Sequence, residues 1–230
     1  MTPGARTGGQ ARPAVVFVHG LWLTGPESLL LRKRLQAGGF QVHSFRYPTV
    51  TGTLAHSTAA LERFVAALDA PTVHLVGHSL GGLIIYRFLE RYPQQPPGRV
   101  VFLGTPAVGS RAALSAARYA WLAPLMGRTV AEELLTARER RWSAPRSLGI
   151  IAGSQTHGLG RRFAPFTEPT DGAVAGSETR MPGASDHLTL PVSHMGLLVS
   201  RRVAQQTVAF LREGRFSLAP QGVSSSARSR

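Results

Sequence analysis

Cysteine is absent from the 230 residues of this chain, so no disulfide framework can hold it together. That absence does not fix a compartment, because a reducing interior and a cysteine-free exported protein both fit. Long apolar runs are also missing: no stretch approaches the ~20 consecutive apolar residues of a membrane span. The N-terminus, MTPGARTGGQARPAVVFVHG, opens with turn formers. It lacks the basic segment followed by an apolar stretch of roughly 7–15 residues that marks a secretory signal. A soluble protein with a cytoplasmic default location is the expectation. Lysine is nearly absent, Lys33 being the only one, yet the formal net charge is +14, carried by arginine. The arginines are scattered, no basic block is interleaved with aromatics, and no helix-turn-helix, zinc-finger or RRM signature is present. Specific nucleic-acid binding is therefore not expected. A solvated basic surface, with weak peripheral contact to anionic membranes as its extension, fits the charge better.

What is present is enough length for one domain that removes roughly 70% of its unfolded surface from water. Short β-branched runs alternate with segments of helical length, the pattern of a mostly parallel sheet with helices on both faces. Strands are expected at 14–18, 40–48, 72–78, 99–106, 147–154 and 186–192. Helices are expected after Pro26 (apolar at Leu30, Leu31 and Leu35), around Leu54 to Leu68, and at 80–92. A closing helix should follow, in which Met195, Val199, Val203 and Phe210 share one side. Residues 1–13 read as a disordered lead-in and 217–230 as a disordered basic tail, leaving 14–216 as the domain. The segment 107–142 is too long for one crossover and is expected to form a small helical cap.

In LVGHSLGG, residues 75–82, a strand turns into a helix through the single residue Ser79. Such a turn forces an unfavourable φ/ψ, and Gly77, Gly81 and Gly82 remove the side chains that would collide around it. Ligands of parallel sheets bind beyond the carboxyl ends of the strands, and Ser79 lies there. These points make Ser79 a candidate nucleophile. It needs a base and donors for an oxyanion. The backbone N–H groups of Leu21, at the end of the first strand, and Leu80, after the serine, are the expected donors, with His19 orienting the first loop.

Chain order in this architecture runs serine, acid, histidine, which leaves His157, His187 and His194. His157 precedes both later aspartates. His187 lies at the amino end of the last strand, about 20 Å from its far end at ~3.3 Å per residue, and would pair with Asp186. His194 lies just past the carboxyl end and is the expected base. Of the three aspartates, Asp69 precedes a strand and Asp186 begins one, so both face the wrong edge. Asp171, in the loop after the fifth strand, is the expected acid, with Glu168 as the alternative.

With HGLW, GHSLGG, TDGAV and VSHMGLL in this order, the chain resembles the α/β-hydrolase superfamily over nearly all of 14–216. It is most similar to small bacterial serine esterases and lipases, including the compact lipases of Bacillus and the GPI inositol-deacylase-like group. The resemblance implies an α/β-hydrolase fold of about six or more strands and hydrolysis of small-molecule or lipid esters. It also implies an acyl-enzyme at Ser79 and no metal or organic cofactor. The minimal lipases of that group have almost no cap, so 107–142 is a departure. Trp22, Leu23 and Met195 are the expected substrate contacts. Acyl transfer or thioester hydrolysis on the same residues stays open, as does a non-catalytic scaffold that binds lipid or anionic polymer through its charge.

Overall fold

The computed structural model describes residues 12–109, 127, 129, 133, 140–156 and 168–218. Most of the expected cap, the lead-in up to residue 11 and the tail from residue 219 lie outside the described residues. Six strands form one all-parallel sheet: β1 (Ala14–Val18), β2 (Gln41–Phe45), β3 (Val73–His78), β4 (Val100–Leu103), β5 (Leu148–Gly153) and β6 (Asp186–Leu190), in the order β2-β1-β3-β4-β5-β6. Because strand side chains alternate, each buried strand supplies both cores. Val16, Val18, Leu75, Phe102 and Ile150 meet α2 (Leu54–Ala66) and α3 (Leu80–Arg91) on one face through Leu61, Val65, Ile84, Ile85 and Phe88. Val15, Phe17, Val76, Val101 and Ile151 pack on the other face against Leu31 and Leu35 of α1 (Leu29–Ala37). The same face holds Leu197 and Leu198 of α4 (Gly196–Val199) and Val203 and Phe210 of α5 (Arg201–Glu213). No described helix is long and apolar enough to cross a membrane.

Three local readings change. The expected closing helix is two helices, because Ser200 is extended (φ −70°, ψ 129°) and its hydroxyl caps α5 by accepting from the Val203 N–H, a common role for serine at a helix start. That break turns Met195 and Val199 outward while Val203 and Phe210 stay buried. Leu30, expected on the inner side of α1, is also exposed, and Leu31 and Leu35 alone anchor that helix. Finally, Ser217 and Leu218 at the start of the expected tail are tied to the Gln206 amide: its oxygen accepts from both backbone N–H groups at 3.0 and 3.2 Å.

Two fixed polar groups brace the sheet's surroundings. Buried Glu133 accepts from Arg87 of α3 at 2.8 Å and from Arg140 at 3.0 Å, and Arg140 also donates to the Ala107 carbonyl at 2.9 Å. Removing either charged partner would strand the other in the interior. His74, on β3, accepts the Arg99 N–H at 2.9 Å through Nδ1 and presents its ring edge-on to Phe40. Burial first, then the nearby Arg99 and Arg146 charges, push its pKa down to about 4.

This depression sets a pH dependence. Between about 6.5 and about 4 the unfolded chain takes up a proton that folded His74 refuses, so its stabilising contribution is complete above the unfolded value and lost as pH falls through that window. Burial of His19, His78 and His187 acts in the same direction. Urea midpoints should therefore drop as pH is lowered across this range. His74→Asn, which keeps an acceptor for Arg99, should make the drop shallower. Midpoints that stay flat across the window would contradict the assignment.

Candidate active site

The carboxyl ends of the parallel strands share one edge, and every expected site residue follows β1, β3, β5 or β6 there. Ser79 connects β3 to α3 at φ 53° and ψ −123°, a region costly for a side-chain-bearing residue, on the order of 1–3 kcal/mol. Three things hold it there. Its N–H donates to the Leu103 carbonyl at 2.9 Å. A Cβ on Gly81 would stand 2.2 Å from the Val18 carbonyl oxygen, and one on Gly77 2.6 Å from Gly82. The chain can therefore close this tightly only with glycines on both sides. Its neighbours His78 and Leu80 are buried, and Ser79 is partly open. Its side chain sits over the positive end of the α3 dipole.

The loop after β1 is the second strained element. Trp22 (φ 60°) and Ser79 are the only non-glycine residues with positive φ among those described, so both outliers flank the same edge. Trp22 donates its N–H to Thr49 Oγ1 at 3.3 Å, and the Leu23 N–H closes back on the Gly20 carbonyl at 3.3 Å. His19 stacks on Tyr47 with ring centres 4.7 Å apart, and the Tyr47 hydroxyl donates to the His19 carbonyl at 2.9 Å. The loop thereby leans on residues after β2 that sequence reading did not single out. A Cβ on Gly20 would lie 3.1 Å from Ser79 Cβ, which brings the Leu21 loop against the serine. Trp22 and Met195 are exposed, whereas Leu23 packs into the core beside α1.

Asp171 and His194 are joined directly. Asp171 Oδ2 accepts from His194 Nδ1 at 2.7 Å, while Oδ1 accepts the Ala173 and Val174 N–H groups at 2.9 and 2.8 Å. The TDGAV loop closes around this buried carboxylate, with Thr170 Oγ1 donating to the Val174 carbonyl and accepting the Gly172 N–H. Glu168, the alternative acid, instead accepts from the Ser177 hydroxyl at 2.8 Å. Beyond β4, a Cβ on Gly104 would meet Asp171 Oδ2 at 3.0 Å and His194 Cε1 at 3.1 Å. Gly104 follows the Leu103 whose carbonyl holds Ser79, so the serine and the histidine flank one strand end. His187 is not part of this group. Its ring pairs with Thr179 Oγ1 at 2.9 Å, and the Asp186 carboxylate accepts backbone N–H groups of His187 and Phe216 rather than the expected ring.

His78 is the residue that sequence reading missed. Its Nε2 donates to the His194 carbonyl at 3.1 Å, the two rings lie 4.7 Å apart, and the His194 N–H donates to the Asp171 carbonyl at 2.8 Å. The His194 backbone is therefore gripped on both sides. Burial first, then the neighbouring His194, push the His78 pKa well below its ordinary value, which keeps the ring neutral. The available signal was position: in GHS the residue before the serine ends an inner strand and must be buried beside it.

A cavity of about 720 Å³ lies away from this group, lined by Ile150, Met181, His187 and Thr189 among others, with none of Ser79, Asp171 or His194 in its wall. Among the described residues, no three His, Cys, Asp or Glu side chains are grouped so as to hold a metal ion.

A family model for the alpha/beta hydrolase family matches residues 15–217. The chain belongs to that family. No curated protein matches this alpha/beta hydrolase in sequence. Among solved structures it is similar to Bacillus licheniformis lipase BlEst2 in mature form, with 20% identity, a TM-score of 0.69 and coverage of 88% of this chain and 91% of that one. It is also similar to the metagenomic carboxyl esterase MGS0156, with 21% identity, a TM-score of 0.58 and coverage of 80% and 65%. A third is carboxylesterase CesB from Bacillus subtilis, with 16% identity, a TM-score of 0.54 and coverage of 88% and 84%. At these identities the likeness shows the fold.

The grip on His194 has a spectroscopic consequence. A proton held between imidazole Nδ1 and a buried carboxylate resonates far downfield in NMR spectra. That signal should be present in the native protein, vanish in Asp171→Ala and broaden in His78→Leu, where the His194 carbonyl loses its donor. A signal unmoved in Asp171→Ala would contradict the pairing.

Proposed function

We propose that this alpha/beta hydrolase cleaves carboxylic esters of small molecules or lipids through Ser79, His194 and Asp171. The supporting observation is the buried Asp171–His194 hydrogen bond of 2.7 Å at the same sheet edge as the strained Ser79. Ser79 Oγ attacks the ester carbonyl carbon while its proton passes to His194 Nε2. The carbonyl electron pair becomes an oxyanion, for which the Leu21 and Leu80 N–H groups are the donors. Collapse reforms the carbonyl and breaks the bond to the alcohol oxygen, which takes the proton from His194. A water then repeats the sequence on the acyl-enzyme and releases the acid. Asp171 stabilises the imidazolium and fixes its tautomer without itself gaining the proton. Trp22, Leu23 and Met195 contact the substrate, Leu23 from its half-buried place against the core and the other two from the rim. The excess positive charge suits weak peripheral contact with anionic membranes.

Hydrolysis of p-nitrophenyl esters from acetyl to palmitoyl tests this reading. Ser79→Ala should lower kcat by at least about 10⁴-fold, and Asp171→Asn by about 10³- to 10⁴-fold. Equal rates for native protein and Ser79→Ala would overturn it. For His78, which acts through His194, His78→Leu should lower kcat about 10- to 100-fold with KM little changed. His78→Gln, which retains a donor for the His194 carbonyl, should recover most of the loss.

A further inference from the structure

Six large apolar side chains stand exposed among the described residues, and five of them converge. Trp22 (60% exposed), Leu29, Leu30, Met195 and Val199 (51%) lie in the segments that leave the carboxyl ends of β1 and β6, with Val108 the sixth. α4 packs on the 3-10 turn Pro26–Ser28 and on α1, and Arg34 donates to the Val199 carbonyl. Leu30 stands one turn before Arg34 on the same side of α1, the side on which Arg34 reaches the Val199 carbonyl. Trp22 follows Leu21 and Met195 follows His194, so the apolar band begins at the rim of the candidate active site and runs outward over α1 and α4. Isolated exposed apolar residues are ordinary, but five on segments that pack against one another make a candidate contact surface.

The charge around the band identifies its partner. Residues 22–34 and 195–202 carry five cations (Arg32, Lys33, Arg34, Arg201 and Arg202) against one carboxylate, Glu27. The Glu27 carboxylate is engaged by the Gly25 N–H. Arg201 and Arg202 open α5, where a positive charge opposes the helix dipole, so they do not serve that helix. A second copy would bring the same five cations face to face in a chain of net charge +14, and repulsion disfavours that occupant. An apolar band framed by arginines instead matches a surface with an acyl interior and anionic headgroups.

We propose that this face docks the protein on anionic lipid bilayers, with Trp22, Leu29, Leu30 and Val199 below the headgroups and the arginines on the phosphates. Docking needs no chemistry at Ser79. It turns the candidate active site toward the lipid, a consequence that rests on the ester-hydrolase reading.

Co-sedimentation of the full chain carrying Ser79→Ala, which leaves the vesicles intact, separates the two. The protein should bind phosphatidylglycerol vesicles at low salt, bind phosphatidylcholine vesicles far less, and be released as salt is raised. Leu30→Ser with Val199→Ser, and separately Arg201→Glu with Arg202→Glu, should each weaken binding about tenfold or more, with unchanged circular dichroism as the folding control. In the native background these pairs should leave hydrolysis of a soluble short ester unaltered. Trp22→Phe should remove the blue shift of tryptophan fluorescence seen on adding vesicles. Three results would overturn the proposal: no binding to phosphatidylglycerol, binding that both double variants retain in full, or a dimer in sedimentation velocity that the same variants disperse.

Discussion

The hydrogen bond between His194 Nδ1 and the buried Asp171 carboxylate is the contact on which the candidate active-site edge depends. The carboxylate sits in a chain turn whose backbone N–H groups already saturate one of its oxygens, leaving the other to aim the imidazole. Two strand-end glycines keep the space clear: a Cβ on Gly104 would crowd Asp171 Oδ2, and one on Gly153 would lie 2.6 Å from Asp171 Cβ. The ring is thus fixed by packing below and the Asp171 hydrogen bond, while the His194 backbone is held by His78 and the Asp171 carbonyl. A general base needs this kind of placement, since misplacement by ~1 Å can cost about 100-fold in rate.

Strain and support are distributed accordingly. Ser79 and Trp22 hold backbone conformations that their side chains disfavour. They keep them because β1, β3 and β4 are buried parallel strands with no freedom to relax. His78 links these parts, since it is the last residue of β3, stands beside Ser79 and donates to His194. The neutral, desolvated state of that ring follows from its burial, which suits it to holding His194 in place rather than to exchanging protons.

Much of this was legible in the chain. Six β-branched runs at crossover spacing lead to a parallel sheet, and the glycines around Ser79 have meaning only in a strand–turn–helix. The positions of Asp171 and His194 followed from one rule, that chemistry collects at the carboxyl ends of strands. What escaped the sequence was local. Helical periodicity alone cannot see that Ser200 leaves the helix to cap the next one, so Met195 and Val199 were set on the same side as Val203 and Phe210. Leu30 shares its apolar character with Leu31, and only packing against the sheet and α5 decides which of them turns inward. His78 looked like an ordinary flank of the serine because its partner is 116 residues away.

The exposed Trp22, Leu29, Leu30, Met195 and Val199, with five cations, lie on segments that leave the same sheet edge as the strained serine. Whether that serine is the reacting atom is the central claim. The most direct measurement is labelling with a fluorophosphonate, followed by digestion and mass spectrometry. The account predicts one adduct, on Ser79, formed far more slowly when His194 is replaced by alanine. An adduct on any other serine, or labelling of Ser79 that proceeds equally well without His194, would contradict it.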